Sequence, residues 1–248
     1  RVGDQHLEFI VWEALAMALR TIRSIRRAAF WAALFSSTMA WAYVPGKFYY
    51  QGHTHEKVIA LTFDDGPGAT TPQILALLKD HHIRATFFML GDQVPMYPQI
   101  AKQVVADGHE VGNHTWSHFD FHKVKVHPSD VLIEELDKTE KAIEQAAGVH
   151  AAIVRMPHGY FNKTWLLPTL REKGYALVHW TFGTDWLLKK SPEQMASEYI
   201  HNAHPGAVFL FHDGGKHREK TLAALKMVIP ALEQKGYRFE AAGDLFKD

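Results

Sequence analysis

Short apolar runs alternate with longer amphipathic stretches along the chain from Lys57 onwards. Each run has the length of a strand and is rich in β-branched or aromatic residues, which is typical of strands buried on both faces. The runs predict seven strands, at 58–63, 85–90, 109–112, 152–155, 176–182, 207–212 and 237–241. The stretches between them predict six helices, at 71–81, 97–107, 128–147, 165–173, 192–201 and 220–235.

Glycine follows several of the predicted helices, at Gly108, Gly148, Gly174 and Gly236, and this residue commonly ends a helix. Strands that are separated by helices pair in parallel. About seven such units indicate an α/β barrel with parallel strands rather than an open sheet, and its site is expected at the carboxyl-terminal rim. A G-x-G-x-x-G motif does not follow the first strand, which argues against a dinucleotide-binding fold.

Residues 1–42 predict an N-terminal extension that contains a signal peptide at 17–42. Arginines precede a nearly uncharged stretch, which ends in the small-x-small pattern Ala40-Trp41-Ala42, and Met17 begins an orderly signal. We therefore expect a secreted, periplasmic or cell-wall-associated protein. The alternatives are an amphipathic helix that caps the domain and a retained anchor, although this stretch is shorter than the about 20 apolar residues that a span needs.

Pro45, Gly46 and Gly52 predict a linker over 43–56, so the main domain is expected to span 57–248. The 27 basic and 27 acidic residues cancel, which makes non-specific nucleic-acid binding a poor interpretation. The chain has no cysteine, so disulfides, thiolate metal sites and cysteine nucleophiles are excluded. The sequence gives no sign of an obligate protein partner.

Ionisable residues stand at the ends of five predicted strands. They are Asp64-Asp65, His114 beside Asn113, Arg155, Asp185 and His212-Asp213. The carboxyl ends of the strands meet at one rim of a parallel barrel. The sequence therefore predicts a functional site at this rim.

His114 and His118 are four residues apart, a spacing that places two imidazoles on one face of a helical turn. Asp65 is the best third ligand, because a barrel brings the end of its strand close to the loop with the histidines. Two histidines and one carboxylate are typical of a catalytic metal site, which keeps positions open for water and substrate. The alternatives are a surface histidine pair and a solvated turn at 64–66.

The motifs TFDDG (62–66), HTWSH (114–118), R-x-P-x-G (155–159), DW (185–186) and LFHD (210–213) occur in the order seen in one family. In these motifs the chain resembles the polysaccharide deacetylases of carbohydrate esterase family 4, the NodB-homology domain, from about Lys57 to Phe246. The resemblance implies a distorted (β/α)7 barrel. It also implies a polysaccharide deacetylase domain at 57–248 that removes N- or O-acetyl groups from glycans with a divalent metal. We expect zinc, with cobalt as the alternative.

The chemistry of amide hydrolysis suggests a role for each residue. A metal held by Asp65, His114 and His118 would acidify a bound water and polarise the carbonyl. Asp64 is expected to be the general base, and the family resemblance implies the same division between the two aspartates. Arg155 is expected to pair with Asp64 and keep it ionised.

The acid side of the reaction is assigned to His212, whose unperturbed pKa of about 6.5 suits a general acid. The resemblance implies that the backbone N–H of His158, next to Gly159, stabilises the oxyanion. Trp186 and Leu210 are expected to line the pocket for the acetyl methyl group, or else to be core residues. Tyr160 stands among the rim aromatics that could stack on sugars, together with Phe161, Trp116 and Trp186.

Two positions depart from the family pattern. His158 stands where the family usually has an aromatic residue, and Gly183 stands near the place of an aspartate that tunes the catalytic histidine. Asp185 or Asp213 is expected to replace that aspartate.

Three functions stay open at this point. The first is deacetylation of N-acetylglucosamine polymers such as peptidoglycan or chitin fragments. The second is an esterase that acts on O-acetyl groups, as on xylan, and the third is an inactive glycan-binding relic of the fold. The expected partner is in each case an acetylated polysaccharide or oligosaccharide.

Overall fold

The computed structural model of the protein describes residues 43–124, 126–187 and 189–247. The predicted signal peptide at 17–42 lies outside the described residues. The strands are β1 (Phe48–Tyr49), β2 (Val58–Asp64), β3 (Thr86–Met89), β4 (Glu110–Asn113), β5 (Ile153–Val154), β6 (Ala176–Val178), β7 (Phe182–Gly183), β8 (Ala207–His212) and β9 (Arg238–Glu240). The helices are α1 (Thr71–Asp80), α2 (Pro98–Ala106), α3 (Pro128–Ala147), α4 (Leu166–Glu172), α5 (Pro192–His201), α6 (Glu219–Gln234) and α7 (Ala242–Leu245), with 3₁₀ turns at Phe121–Lys123 and Pro157–Gly159.

All the strands join one parallel sheet in the order β1-β6-β5-β4-β3-β2-β8-β7, and β9 pairs with the first half of β2. The sheet curls, and helices cover its outer face. The parallel α/β barrel expected from the alternation of strands and helices is confirmed, as is the distorted (β/α)7 form that the family resemblance implies. Among the described helices, none has both the length and the apolar character that crossing a bilayer requires.

The central strand β2 explains why the site faces the inside of the curled sheet. Its residues are all buried, and they alternate between two clusters. Ile59, Leu61 and Phe63 pack under the helices, whereas Val58 and Ala60 pack inside the barrel with residues of β5, β6 and β8. Because side chains alternate along a strand, Asp64 shares the inner face with Ala60.

The predicted strand at 176–182 is wrong in one respect, because it divides into β6 and β7. The carbonyl oxygens of Val178 and His179, at the break, accept hydrogen bonds from the guanidinium of Arg155. A buried guanidinium needs acceptors for its N–H groups. The break between β6 and β7 therefore leaves two backbone carbonyl oxygens as hydrogen-bond acceptors for Arg155.

The expected linker at 43–56 is also wrong for two residues. Phe48 and Tyr49 form β1, which pairs in parallel with β6. Tyr49 is buried and its ring lies 4.9 Å from that of Phe246. Proline and glycine around this pair suggested a loop, but the apolar pair itself belongs to the barrel.

Candidate active site

The two aspartates at the end of β2 point into one pocket. Asp64 is the last residue of β2 and Asp65 follows it with φ 70°, in the left-handed region. In an extended strand the two side chains would point to opposite faces. The left-handed turn at Asp65 brings its carboxylate to the same side as that of Asp64, and both line the same pocket.

Asp65, His114 and His118 converge as expected. Oδ1 of Asp65 lies 3.5 Å from Nε2 of His114 and 3.5 Å from Nε2 of His118. One ligand atom from each residue lies within 4.8 Å of the others. This oxygen of Asp65 is buried and has no hydrogen-bond partner among the described residues, which indicates that it is placed for a cation.

The expectation that a helical turn presents the two histidines is wrong. Residues 114–118 form a loop after β4, in which Thr115 and His118 have φ values of 68° and 55°. Two left-handed residues turn the chain so that both imidazoles reach the same point. The two histidines can thus share one cation, but it is the two left-handed residues of the loop that bring the imidazoles together, and not a helical turn.

The hydrogen bonding of His114 fits a metal ligand. Its Nδ1–H donates to the carbonyl oxygen of Arg155 at 2.7 Å, so the lone pair of Nε2, which lies 3.5 Å from Oδ1 of Asp65, is left for a cation. Burial raises the pKa of Asp65, but the neighbouring imidazoles, that of His114 above all, outweigh it and hold that pKa far below its usual range. Burial and the neighbouring His114 lower the pKa of His118. An ionised carboxylate with two imidazole nitrogens is the donor set that zinc accepts.

Asp64 is held by a buried arginine. Nη1 of Arg155 donates to Oδ1 of Asp64 at 2.8 Å and to the hydroxyl of Thr62 at 2.7 Å. Both members of the ion pair are almost completely buried. The second oxygen of Asp64 lies 3.7 Å from Nε2 of His114, which places this carboxylate beside the candidate metal position.

His212 ends β8 directly beside Asp64, with which it is in register. Its Nδ1 lies 2.8 Å from Oδ1 of Asp185, whose other oxygen accepts from the backbone N–H of His212 and the hydroxyl of Thr221. Burial lowers the pKa of His212, but the charge and hydrogen bond of Asp185 outweigh it, and the net pKa is raised. Of the two carboxylates expected to tune His212, the structure selects Asp185.

Asp213, the other carboxylate considered for tuning His212, is buried beside Thr71 and Gly66. One of its carboxylate oxygens accepts a hydrogen bond from the hydroxyl of Thr71 at 2.6 Å. Burial raises the pKa of Asp213 to about 7. Its side chain packs against Gly66, where an added Cβ would overlap the carboxylate.

The pocket contains most of the residues expected to bind substrate. Trp186, Leu210, His158 and Gly159 line it together with the aspartates and histidines. His158 has φ 56° in the turn Pro157–Gly159, and its ring lies 4.5 Å from that of His118. Tyr160 does not line it.

Tyr160 was expected at the rim but is buried in the core, where its ring lies 5.8 Å from Phe121 and 6.1 Å from Trp165. Its assignment to substrate binding is therefore wrong. Of the other rim aromatics, Phe161 is exposed and stacks on Phe48, and Trp116 packs beneath Lys138.

Three lining residues were missed from the sequence: Met156, Trp180 and Arg218. Arg218 lies six positions after His212, at the start of α6. The topology offered one signal, since the loop after β8 must pass along the carboxyl-terminal rim. The sequence did not show which residue of that loop turns inward.

Comparison with known proteins identifies relatives of the chain. Residues 51–178 match the family model "Polysaccharide deacetylase". A peptidoglycan-N-acetylglucosamine deacetylase of Bacillus cereus is 38% identical over 196 residues, which cover 78% of this chain and 90% of that protein.

Two solved structures share the fold. The Bc1960 peptidoglycan N-acetylglucosamine deacetylase, in complex with 4-naphthalen-1-yl-N-oxidanyl-benzamide, superposes with a TM-score of 0.74 at 33% identity and covers 80% of this chain and 92% of its own. BA3943, described as a pseudoenzyme of carbohydrate esterase family 4 from Bacillus anthracis, gives a TM-score of 0.73 at 28% identity and covers 82% and 69%. The motifs, the curled parallel sheet and these similarities together place the chain in the polysaccharide deacetylase family.

Proposed function

We propose that the protein is a metal-dependent hydrolase that removes the acetyl group from N-acetylglucosamine residues of peptidoglycan or a related glycan. The observation that carries this proposal is the convergence of Asp65, His114 and His118 beside the separate carboxylate of Asp64. The similarity to peptidoglycan deacetylases supports the choice of substrate class.

Asp65, His114 and His118 would hold the metal, with zinc as the first choice and cobalt as the second. When bound, the metal supplies Lewis acidity, which polarises the acetyl carbonyl and acidifies a water. Asp64 takes a proton from the attacking water. Arg155 keeps Asp64 ionised and fixed, because their ion pair is buried and short.

The amine must leave as a neutral group, so it needs a proton. His212 lies beside Asp64 on the neighbouring strand and donates this proton while the C–N bond breaks. Asp185 orients the imidazole through Nδ1, which leaves Nε2 for the leaving nitrogen. The products are acetate and the free amine of the sugar.

The acetyl group itself is held by the rest of the pocket. Trp186 and Leu210 provide apolar surface for the methyl group, and the backbone N–H of His158 is the proposed donor to the oxyanion. Trp186 is 41% exposed, so its ring is also accessible to a sugar. In this proposal the apolar wall of the pocket binds the acetyl methyl group, and the charged residues carry out the hydrolysis.

Acetate release from a panel of acetylated glycans, with and without chelator, tests the proposal. We expect release from peptidoglycan fragments or N-acetylglucosamine oligomers, loss of release with chelator, and recovery on adding Zn²⁺ or Co²⁺. Release from acetylated xylan alone would instead make the protein an O-acetyl esterase. Binding of glycan without any release would identify an inactive relic; BA3943, which shares this fold, is described as a pseudoenzyme.

Export is part of the same proposal, because a cell-wall substrate lies outside the cytoplasm. It is supported by the arginine-rich, apolar and small-residue pattern of 17–42. N-terminal sequencing of the exported protein should find Tyr43 first. An intact segment on a protein that stays in the cytoplasm would contradict this part.

A further inference from the structure

Arg218 is buried in the wall of the pocket, and its guanidinium is incompletely paired. Nε donates to the carbonyl oxygen of Gly214 at 2.6 Å, whereas Nη1 is buried and has no hydrogen-bond partner among the described residues. By contrast, the guanidinium of the buried Arg155 donates from all three nitrogens to neighbouring oxygens. A buried cation with an unsatisfied donor is costly unless it serves a site.

The guanidinium faces two carboxylates. Nη2 lies 3.9 Å from Oδ2 of Asp65, and Nη1 lies 3.9 Å from Oδ2 of Asp185. The Asp185 oxygen already accepts hydrogen bonds from His212 and Thr221. Asp65 is therefore the carboxylate with capacity left for Arg218.

The two oxygens of Asp65 have different neighbours. Oδ1 lies 3.5 Å from Nε2 of both His114 and His118, at the candidate metal position. Oδ2 is the oxygen near Arg218. One oxygen of the carboxylate therefore faces the histidines, and the other faces the positive charge of Arg218.

The loop between β8 and α6 keeps Arg218 in this place. Gly214, whose carbonyl anchors Nε, packs directly on the backbone of Asp65, and a Cβ at Gly214 would overlap the Asp65 carbonyl oxygen. Gly214, which holds the guanidinium, is therefore in contact with Asp65, the residue that the guanidinium faces. Arg218 cannot move far from Asp65 without displacing this loop.

We infer that Arg218 is a positioning residue that holds Oδ2 of Asp65 away from the cation site, so that this carboxylate offers one ligand oxygen. The inference rests on the proposed function in that a divalent cation binds at Asp65. A catalytic site must keep coordination positions for water and substrate, and a second oxygen from Asp65 would occupy one. Arg218 would thus lower the affinity of the site for the metal and keep one coordination position open for water or substrate.

The test is zinc affinity, measured by competition with a chromogenic chelator, for the wild type, Arg218→Met and Arg218→Lys. Arg218→Met removes a positive charge near the cation and frees Oδ2, so zinc should bind about tenfold tighter or more. Turnover should fall in the same variant. Arg218→Lys keeps the charge and should stay near wild-type affinity.

Lys216→Met is the matched control, because it removes the same charge from an exposed position on the same loop. It should leave zinc affinity unchanged. Visible spectra of the cobalt-loaded proteins give a second readout, since an added oxygen ligand weakens the absorption. We expect weaker absorption per cobalt in Arg218→Met than in the wild type.

The outcomes separate the inference from the proposed function. A wild type that binds no zinc or cobalt would defeat the proposed function itself. Wild-type binding with equal or weaker zinc affinity in Arg218→Met would overturn only the role of Arg218, as would a raised KM for glycan with unchanged zinc affinity. If Arg218→Met does not fold, Arg218→Lys with strongly altered zinc affinity would also overturn it.

Discussion

Replacing Arg155 by Met should destabilise the protein strongly, because it leaves the carboxylate of Asp64 buried without its partner. Arg155 is 0% exposed and Asp64 3%. The guanidinium also donates to Thr62 and to the carbonyls of Val178 and His179, so these oxygens lose their donors as well. Breaking a buried, hydrogen-bonded ion pair costs about 3–5 kcal/mol, and the unpaired oxygens place this case at the upper end.

The assay is urea unfolding followed by tryptophan fluorescence, with chelator present so that metal binding does not contribute. Arg238→Met is the control, because the ion pair of Arg238 with Glu56 is exposed to solvent and its loss should change the free energy of unfolding much less. The double variant Arg155→Met/Asp64→Asn should lose less free energy of unfolding than the two single variants together, since no charge is left unpaired. A cost for Arg155→Met as small as that for Arg238→Met, or strict additivity in the double variant, would refute the reasoning.

Three further outcomes are expected. Asp65→Ala should lose metal and acetate release together, as measured by metal analysis of the dialysed protein, and a variant that keeps one ion per chain would contradict the ligand assignment. Asp185→Asn should lower the pKa of His212, because the charge and hydrogen bond that raise it are lost, so the alkaline limb of the rate profile moves to lower pH; an unmoved limb would remove His212 from the acid role. Asp213 has its pKa raised to about 7 in the folded protein by burial, so the stability linked to its proton is fully present below the unfolded pKa of about 4 and is lost as the pH rises to about 7. Asp213→Asn should abolish this loss, so the variant should gain stability relative to the wild type between pH 4 and 8 in chelator, and a constant difference across that range would contradict the buried, protonated state.

Much of the fold could be predicted because buried strands and helices leave recognisable patterns of apolar residues in the sequence. The run at 58–63 is apolar on both faces because β2 lies between the outer and inner clusters of the core. Parallel pairing then fixes which ends meet, so Asp64 and His212 could be placed at one rim before their register was known. This part of the site follows from topology.

The remaining part depends on how loops turn, which spacing does not reveal. Positive φ values at Asp65 and His118 bring side chains together that an extended or helical backbone would separate. Tyr160 follows the turn that carries His158, yet it points into the core. Arg218 reaches the pocket because its loop packs on Asp65, a contact that only the folded chain establishes.

Zinc titrated into metal-free protein, with bound metal and acetate release from an N-acetylglucosamine oligomer measured together, tests whether Asp65, His114 and His118 bind a metal that Asp64 uses as a separate base. We expect release in the wild type to rise with zinc and to level off at about one ion per chain. Asp64→Asn should bind the same ion and release almost no acetate, because the ligands remain and the base is lost. Full activity without metal, or near-normal release by the zinc-loaded Asp64→Asn protein, would contradict these roles of the metal and of Asp64.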